Sequence, residues 1–272
     1  MPRPSQSVSS VAVSRGTARP NTRDIPEETA VALSYNGTTQ AVMMATPADL
    51  QEFAIGFSLG EGIVTHPDQI ERLEIEELDA GIDCQMWLSD EAADRLGERR
   101  RQMAGPVGCG LCGIDSLEQA MRPLPQLPPD NVCTGSARLL HAMHMLRKGQ
   151  KLHDLTRGVH GAGFLHADDT VTVKEDVGRH NALDKLIGSL ALQGIDPASG
   201  VILLTSRVSV ELVQKTVLAG APILIAVSAP TAHAVRLAED AGLTLIALAR
   251  DERFEIFTHP HRITPQEAHN VA

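Results

Sequence analysis

Aromatic side chains are scarce in this chain: Phe, Tyr and Trp make up 3% of its 272 residues. Small aliphatic side chains must therefore fill any core, and a hydrophobic content of 43% supplies enough of them. Cysteine is sparse too. Only Cys84, Cys109, Cys112 and Cys133 are present, which excludes a disulfide scaffold. There is no excess of positive charge. The formal net charge is −10, the opposite of what a general nucleic-acid binder carries. A few arginines can still build a local pocket for an anion. No apolar run approaches the roughly 20 residues of a membrane helix. The Ser/Pro/Arg-rich start of the chain lacks the apolar segment of a secretory signal. These absences predict a soluble cytoplasmic protein with no membrane contact and no nucleic-acid partner, preceded by a disordered tail over 1–24.

The pattern that is present predicts two regions. Apolar runs flank Asn36-Gly37 over residues 29–45, a two-residue hairpin signal. A helix should follow, with Thr46 as cap, Pro47 in its first turn and Leu50, Phe53, Ala54 and Phe57 on one face. Strand material spans Ile70–Leu88, and a helix capped by Ser89 comes next. An N-terminal α+β region then runs over 25–121, ending in a glycine-rich loop. A proline-rich linker covers 122–134. Over 135–263 short apolar strands alternate with helices of about ten residues, which predicts right-handed crossovers and a parallel sheet covered on both faces. Residues 264–272 read as a tail. Ligands of such sheets bind outside the carboxyl ends of the strands. Those ends carry Thr205-Ser206-Arg207, Ser228-Ala229-Pro230 and Arg250-Asp251-Glu252-Arg253.

Three segments carry candidate chemistry. Gly108-Cys109-Gly110-Leu111-Cys112-Gly113 holds two thiols three residues apart in a loop, just after Arg99, Arg100 and Arg101. A nearby cation lowers a thiol pKa and favours the reactive thiolate. Persulfide carriage, thiol–disulfide exchange and metal binding all fit, as do two incidental cysteines. The glycines argue against a thioredoxin-type helix start, and a structural zinc site needs four ligands where one Cys-x-x-Cys gives two. The second segment, Glu175-Asp176-Val177-Gly178-Arg179-His180-Asn181, is dense in polar groups at a strand-to-helix junction, where free N–H groups suit an anion. The third, Gly158–Gly163, lacks the P-loop pattern and reads as a tight turn beside the active loop. No His-x-Glu accompanies the Cys-x-x-Cys, so zinc deaminase chemistry lacks its acid/base residue.

Taken together, YNG…MMATPADLQEFAIGFSLGEGI (35–63), GCGLCG (108–113), LTRGVHGAGF (155–164), EDVGRHNALDKLIG (175–188), TSRVSVELVQK (205–215), SAPTAHAVRLAEDAGLTLIALAR (228–250) and FTHPHR (257–262) resemble the formate dehydrogenase accessory sulfurtransferase family, FdhD. The resemblance implies an α/β fold: a cytidine deaminase-like three-layer domain with a smaller N-terminal α+β region. It implies a homodimer and an enzyme, a sulfurtransferase. Such a protein takes sulfane sulfur from a cysteine desulfurase as a cysteine persulfide. It passes the sulfur to the molybdenum (or tungsten) bis-molybdopterin guanine dinucleotide cofactor of a formate dehydrogenase catalytic subunit. The dinucleotide is bound as a substrate, and no permanent cofactor or metal is implied. Carried onto this sequence, Cys109 matches the persulfide-forming cysteine and Cys112 its partner. The cofactor-binding segment falls on Leu248, Ala249, Arg250, Asp251, Glu252 and Arg253. Arg250 and Arg253 suit pyrophosphate through charge-assisted hydrogen bonds, and Arg207, His180 and Asn181 line the same pocket. Asp176 and His180 are expected to orient the cysteine loop or the cofactor. Two positions depart from the family pattern: Arg157 and Ser206 stand where glycine is frequent. The rival reading is a chaperone that holds the cofactor for apo-formate dehydrogenase without sulfur chemistry.

Overall fold

A computed structural model describes residues 1–103, 123–129 and 132–264. Cys109 and Cys112 lie outside the described residues.

The strands of the N-terminal region are β3 (Thr29–Tyr35), β4 (Thr38–Ala45), β5 (Ile70–Leu78) and β6 (Gly81–Leu88), in the order β4-β3-β6-β5. Asn36 and Gly37 both have positive φ (49° and 76°), as the two-residue turn between β3 and β4 demands. Helix α1 (Leu50–Gly60) closes over this sheet and buries Leu50, Phe53 and Phe57 against Leu33, Tyr35, Ile82 and Met86. Its N-cap is Asp49 in a left-handed conformation, not Thr46. Thr46 is used elsewhere, as shown below. Helix α2 (Asp90–Met103) follows the sheet.

After the two-residue β7 (Thr134–Gly135), the second region is a six-stranded sheet ordered β13-β12-β11-β10-β8-β9. Its strands are β8 (His160–Leu165), β9 (Val171–Asp176), β10 (Val201–Leu204), β11 (Ile223–Ala226), β12 (Thr244–Arg250) and β13 (Arg253–Ile256). Only the β10–β11 and β11–β12 pairs are parallel, and the flanking pairs are antiparallel. The sheet is therefore mixed. Segment 158–163 supplies strand β8 and not the expected tight turn. Its glycines leave room for neighbours: a Cβ on Gly161 would lie 2.8 Å from the Gln150 amide.

Alternation along the strands divides two cores. Ile202, Leu204, Leu224 and Leu245 face α5 (Arg179–Leu192), α6 (Val210–Leu218) and α7 (Ala232–Ala241). Val201, Leu203, Ile223, Ile225 and Ile246 face α3 (Ser136–Gly149). The result is three layers. The short helix α4 (Lys151–Thr156) ends at Arg157, whose φ is +60°. A glycine would adopt that conformation without strain. Arg157 itself stays half-exposed and pairs with Asp154 at 3.5 Å.

The proline-rich stretch is pinned where it is described. The Leu127 N–H donates to Ala241 O, and the buried guanidinium of Arg262 donates to Pro128 O, Gly242 O and Thr244 Oγ1. Residues 1–24, expected to be a disordered tail, instead contribute a ribbon of β1 (Ser5–Ser14) and β2 (Thr17–Pro26). The alternating Ser/Val/Ala pattern suits a strand, and Arg15-Gly16 (φ 48° and 80°) forms the turn.

Candidate functional site at the carboxyl ends of the strands

Helix α5 joins the two regions and begins the candidate site. Where it crosses α1 the backbones nearly touch. A Cβ on Gly56 would sit 1.7 Å from Asp184 O, and one on Gly188 would sit 1.9 Å from Glu52 O. Only glycine at both positions permits this approach.

Buried charge surrounds the crossing. Asp176, at the end of β9, is fully buried and pairs with the equally buried Lys185 at 2.6 Å. Its carboxylate also accepts from Thr46 N (3.0 Å), Gly178 N (2.7 Å) and Asn181 Nδ2 (2.9 Å). Lys185 Nζ donates to Thr46 O, Asn181 Nδ2 to Met44 O, and Val177 N to Thr46 Oγ1. Thr46 is thus the latch by which the N-terminal region grips the start of α5.

One turn further on, Lys215 of α6 lies between Asp184 (2.9 Å) and Glu61 (2.8 Å). Burial pushes the Asp184 carboxyl up to about 6, even though Lys215 pulls it down. For Lys215, burial favours the neutral amine, but Asp184 and Glu61 outweigh it and raise its pKa. Glu175 faces the other way and accepts from the Leu152 and His153 N–H groups, both at 2.8 Å, at the start of α4.

Two residues of the 175–185 stretch remain for the open edge. Arg179 is the first residue of α5; its Nε is buried and has no hydrogen-bond partner among the described residues. The N-cap of α5 is Gly178, which offers no side chain to the first-turn N–H groups. His180 lies 3.4 Å from Ser209 Oγ and 3.7 Å from Glu211. Burial, then the Arg179 charge, push its imidazole down to about 4, against the pull of Glu211. His160, at the start of β8, is lowered by burial and then by Arg179. Both rings are neutral at pH 7, which leaves Arg179 as the fixed positive charge among them.

The other sequence-predicted residues follow neighbouring strands along the same edge. Exposed Arg207 comes after β10. Its loop is stitched to the one after β11 by Val208 N to Ala229 O (3.2 Å) and Thr231 N to Val208 O (3.0 Å). The 248–253 segment runs from the end of β12 through the Asp251-Glu252 turn to the first residue of β13. Register slips there between Ala247 and Arg250, and both Leu248 and Asp251 have positive φ (56° and 54°). Bulges and left-handed residues re-aim side chains at functional edges. Arg250 and Arg253 are direct partners across the turn, and both are exposed, as are Asp251 and Glu252. Ala249 is buried in the core, while Leu248 is half-buried and its N–H reaches Ser228 O at 3.4 Å. From β12 to β9 is four strand spacings, about 19 Å. The edge therefore suits an extended ligand better than a compact one.

Asn181 is not directed at this edge. Its amide is spent on Met44 and Asp176 inside the joint. Asp176 is likewise fully committed there. Sequence reasoning missed Arg179, whose only signal was its place at the strand-to-helix junction, and missed Glu61 and Lys215, whose pairing no local pattern shows. Cys84 lies buried on β6, where burial pushes its thiol up to about 12, far from a reactive thiolate. No helix among the described residues is long and apolar enough to cross a membrane.

Comparison with known proteins agrees with this architecture. The FdhD/NarQ family pattern matches residues 26–264. A sulfur carrier protein FdhD from Agrobacterium fabrum is 51% identical over 257 residues, covering 94% of this chain and 95% of the relative. The protein of the same name from Brucella abortus is 53% identical over 244 residues, covering 89% and 91%. A solved structure from Desulfotalea psychrophila, designated a formate dehydrogenase accessory protein, superposes with a TM-score of 0.76 at 26% identity, over 96% of this chain and 99% of that one. With half its residues shared along nearly its full length and the family pattern matched over residues 26–264, this chain belongs to the FdhD/NarQ family.

Proposed function

We propose that this protein is a sulfur carrier for formate dehydrogenase, working through a persulfide on Cys109. The observation that carries the reading is the 51% identity, over nearly the whole chain, to a protein named as a sulfur carrier. The Cys109-x-x-Cys112 sequence supplies the chemistry. The Cys109 thiolate attacks the outer sulfur of a persulfide on a cysteine desulfurase. The donor's S–S bond breaks, its cysteine leaves as thiolate, and a new S–S bond forms on Cys109. Delivery as sulfide takes two electrons. The Cys112 thiolate attacks Cys109 Sγ, sulfide departs to the metal of the bis-molybdopterin guanine dinucleotide substrate, and a Cys109–Cys112 disulfide is left. A dithiol reductant resets the pair.

In this reading the strand edge holds the dinucleotide. Arg250 and Arg253 contact its pyrophosphate, and Arg207, Arg179 and His180 line the same surface. The exposed arginines, the unpartnered Arg179 Nε and the uncapped α5 N-terminus support an anionic ligand. Asp251, Glu252 and the backbone of Leu248 and Ala249 shape the turn that presents the arginines, and Asn181 positions α5. The three-layer region is read as cytidine deaminase-like, supported by its parallel central strands and helices on both faces. The client is a formate dehydrogenase catalytic subunit, and the place of work is the cytoplasm.

Intact-mass spectrometry after exposure to a cysteine desulfurase and cysteine tests the sulfur step. One added sulfur on the wild-type protein, lost in Cys109→Ala and kept in Cys112→Ala, is expected. No added sulfur on either cysteine would remove the carrier reading.

A further inference from the structure

A cavity of about 480 Å³ lies at the far end of α5 from the strand edge. Its walls come from both regions. Leu59 and the 62–67 segment stand on one side, Ile187, Ala191 and the 194–197 segment on the other, and Leu218 with Ala219 closes it. Helix α5 is 14 residues long. Roughly 21 Å of helix therefore separates the cavity from Arg179. The volume is that of a small-molecule site. Neither the sulfur chemistry nor the dinucleotide makes use of it.

Three helix C-termini meet there. Leu59 is in the last turn of α1, Ala191 in that of α5, and Leu218 ends α6. The carboxyl end of a helix carries about half a negative charge on its last carbonyls, and a Lys or Arg in the last turn is the usual counter-charge. Helices α1 and α5 have none. The basic residue in the last turn of α6 is Lys215, which is already held between Asp184 and Glu61. Pro222, four residues on, has no N–H to offer Leu218 O. Among the described residues the walls include the Asp196 carboxylate and neither Lys nor Arg. His66 is the one other titratable group in them, and its Nδ1 is engaged by Asp68 at 3.3 Å. Apart from Thr65, the rest of the wall is aliphatic or glycine. The cavity is apolar in body and negative at its end.

We propose that this cavity binds a small organic cation, an ammonium or guanidinium on a short apolar stem. The helix carbonyl ends and the Asp196 carboxylate receive the head through charge-assisted hydrogen bonds, and the aliphatic walls cover the stem. Because both regions line the cavity, the bound cation ties them together beside the close crossing of α1 and α5, where Ile187 adjoins Gly188. The site is that of an effector. A ligand that binds only the joined arrangement stabilises it by mass action. Nothing in it depends on the sulfur chemistry or on the dinucleotide, which belong to the other end of the helix.

Calorimetry of the full chain with n-pentylammonium and n-pentylguanidinium tests it, with n-pentanol and pentanoate as neutral and anionic controls of similar stem. The expected result is saturable binding of at least one cation, one per chain, about ten-fold or more tighter than pentanol, and no binding of pentanoate. The bound cation should raise the unfolding temperature and shift the amide NMR signals of Thr65, Gly194 and Ala219. Asp196→Asn keeps a good cap for the 197–199 turn and should weaken binding about ten-fold. Ala191→Leu fills the cavity from a helix position that tolerates leucine and should abolish binding. No saturable heat with either cation would overturn the proposal. So would pentanol or pentanoate binding as tightly, an affinity that neither substitution lowers, or amide shifts confined to other surfaces. Tighter binding of Nα-acetyl-lysine methylamide than of pentylammonium would make the occupant a partner's lysine and overturn the free-ligand proposal.

Discussion

The joint between the two regions and the edge of the large sheet are built from one stretch of chain, yet they differ in almost every physical respect. At the joint, Asp176, Asn181, Asp184 and Lys185 are buried and their charges are paired. Glycines bring two helices into backbone contact. At the edge, Arg179 keeps a buried Nε without a partner, Arg207, Arg250 and Arg253 stand in solvent, and Leu248 and Asp251 take left-handed backbone. A buried network of paired charges holds a geometry, while a polar edge of unpaired cations is open to a ligand. The alternation within 175–185 lets a single helix fix the molecule with one side and present its first turn to the open edge.

The largest effect that would break this contrast is at the joint. Lys185→Met leaves the Asp176 carboxylate buried without its counter-charge and should cost about 3–5 kcal/mol of stability. Thermal and denaturant unfolding measure it. A loss below about 1 kcal/mol would mean that the joint is less tightly coupled than its distances suggest. Gly56→Ala comes next. The added methyl falls on Asp184 O, and separating the helices should cost about 3 kcal/mol. At the edge, Arg250→Ala/Arg253→Ala should leave unfolding nearly unchanged. It should weaken binding of GDP, a probe for the guanine dinucleotide, roughly ten- to hundred-fold by calorimetry. Unchanged GDP affinity would remove these arginines from the binding surface.

The smallest and sharpest test is a histidine titration by NMR. His180 should titrate near 4, and Arg179→Gln should move it upward by removing the second-largest of its depressing causes, after burial and ahead of Lys215. The sign follows from linkage. An unfolded His180 takes up its proton near 6.5 and the folded one near 4. Its contribution to stability is therefore full above about 6.5 and disappears as pH falls toward 4. Asp184 acts in the opposite sense. With its folded pKa raised to about 6, its contribution is full below about 3.8 and declines as pH rises through 6.

Much of the fold was legible because it is local. The Asn36-Gly37 turn, the apolar strand runs from 201 to 248 and the helices between them each announce themselves within a few residues. Non-local partners were not legible. Thr46 reads as a helix cap by sequence, but its N–H and Oγ1 are claimed by Asp176 and Val177, 130 and 131 residues away. Asn181 and Asp176 read as site residues because polar groups crowd a strand-to-helix junction. No local pattern says which of them turn inward. The antiparallel direction of the flanking strands escaped notice because an apolar run carries no strand direction. The N-terminal ribbon escaped because its composition is that of a disordered tail.

Sulfur moving from this protein into the cofactor it is proposed to bind is the central step, and a labelled transfer follows that movement most directly. The protein is loaded with radioactive sulfur by a cysteine desulfurase, freed of donor, and incubated with the molybdenum guanine dinucleotide cofactor under anaerobic conditions. The prediction is that label leaves Cys109 and appears as acid-labile sulfide in the cofactor, with a Cys109–Cys112 disulfide left on the protein. Cofactor that binds and is handed to apo-formate dehydrogenase while all the label stays on Cys109 would contradict the account and leave a chaperone in its place.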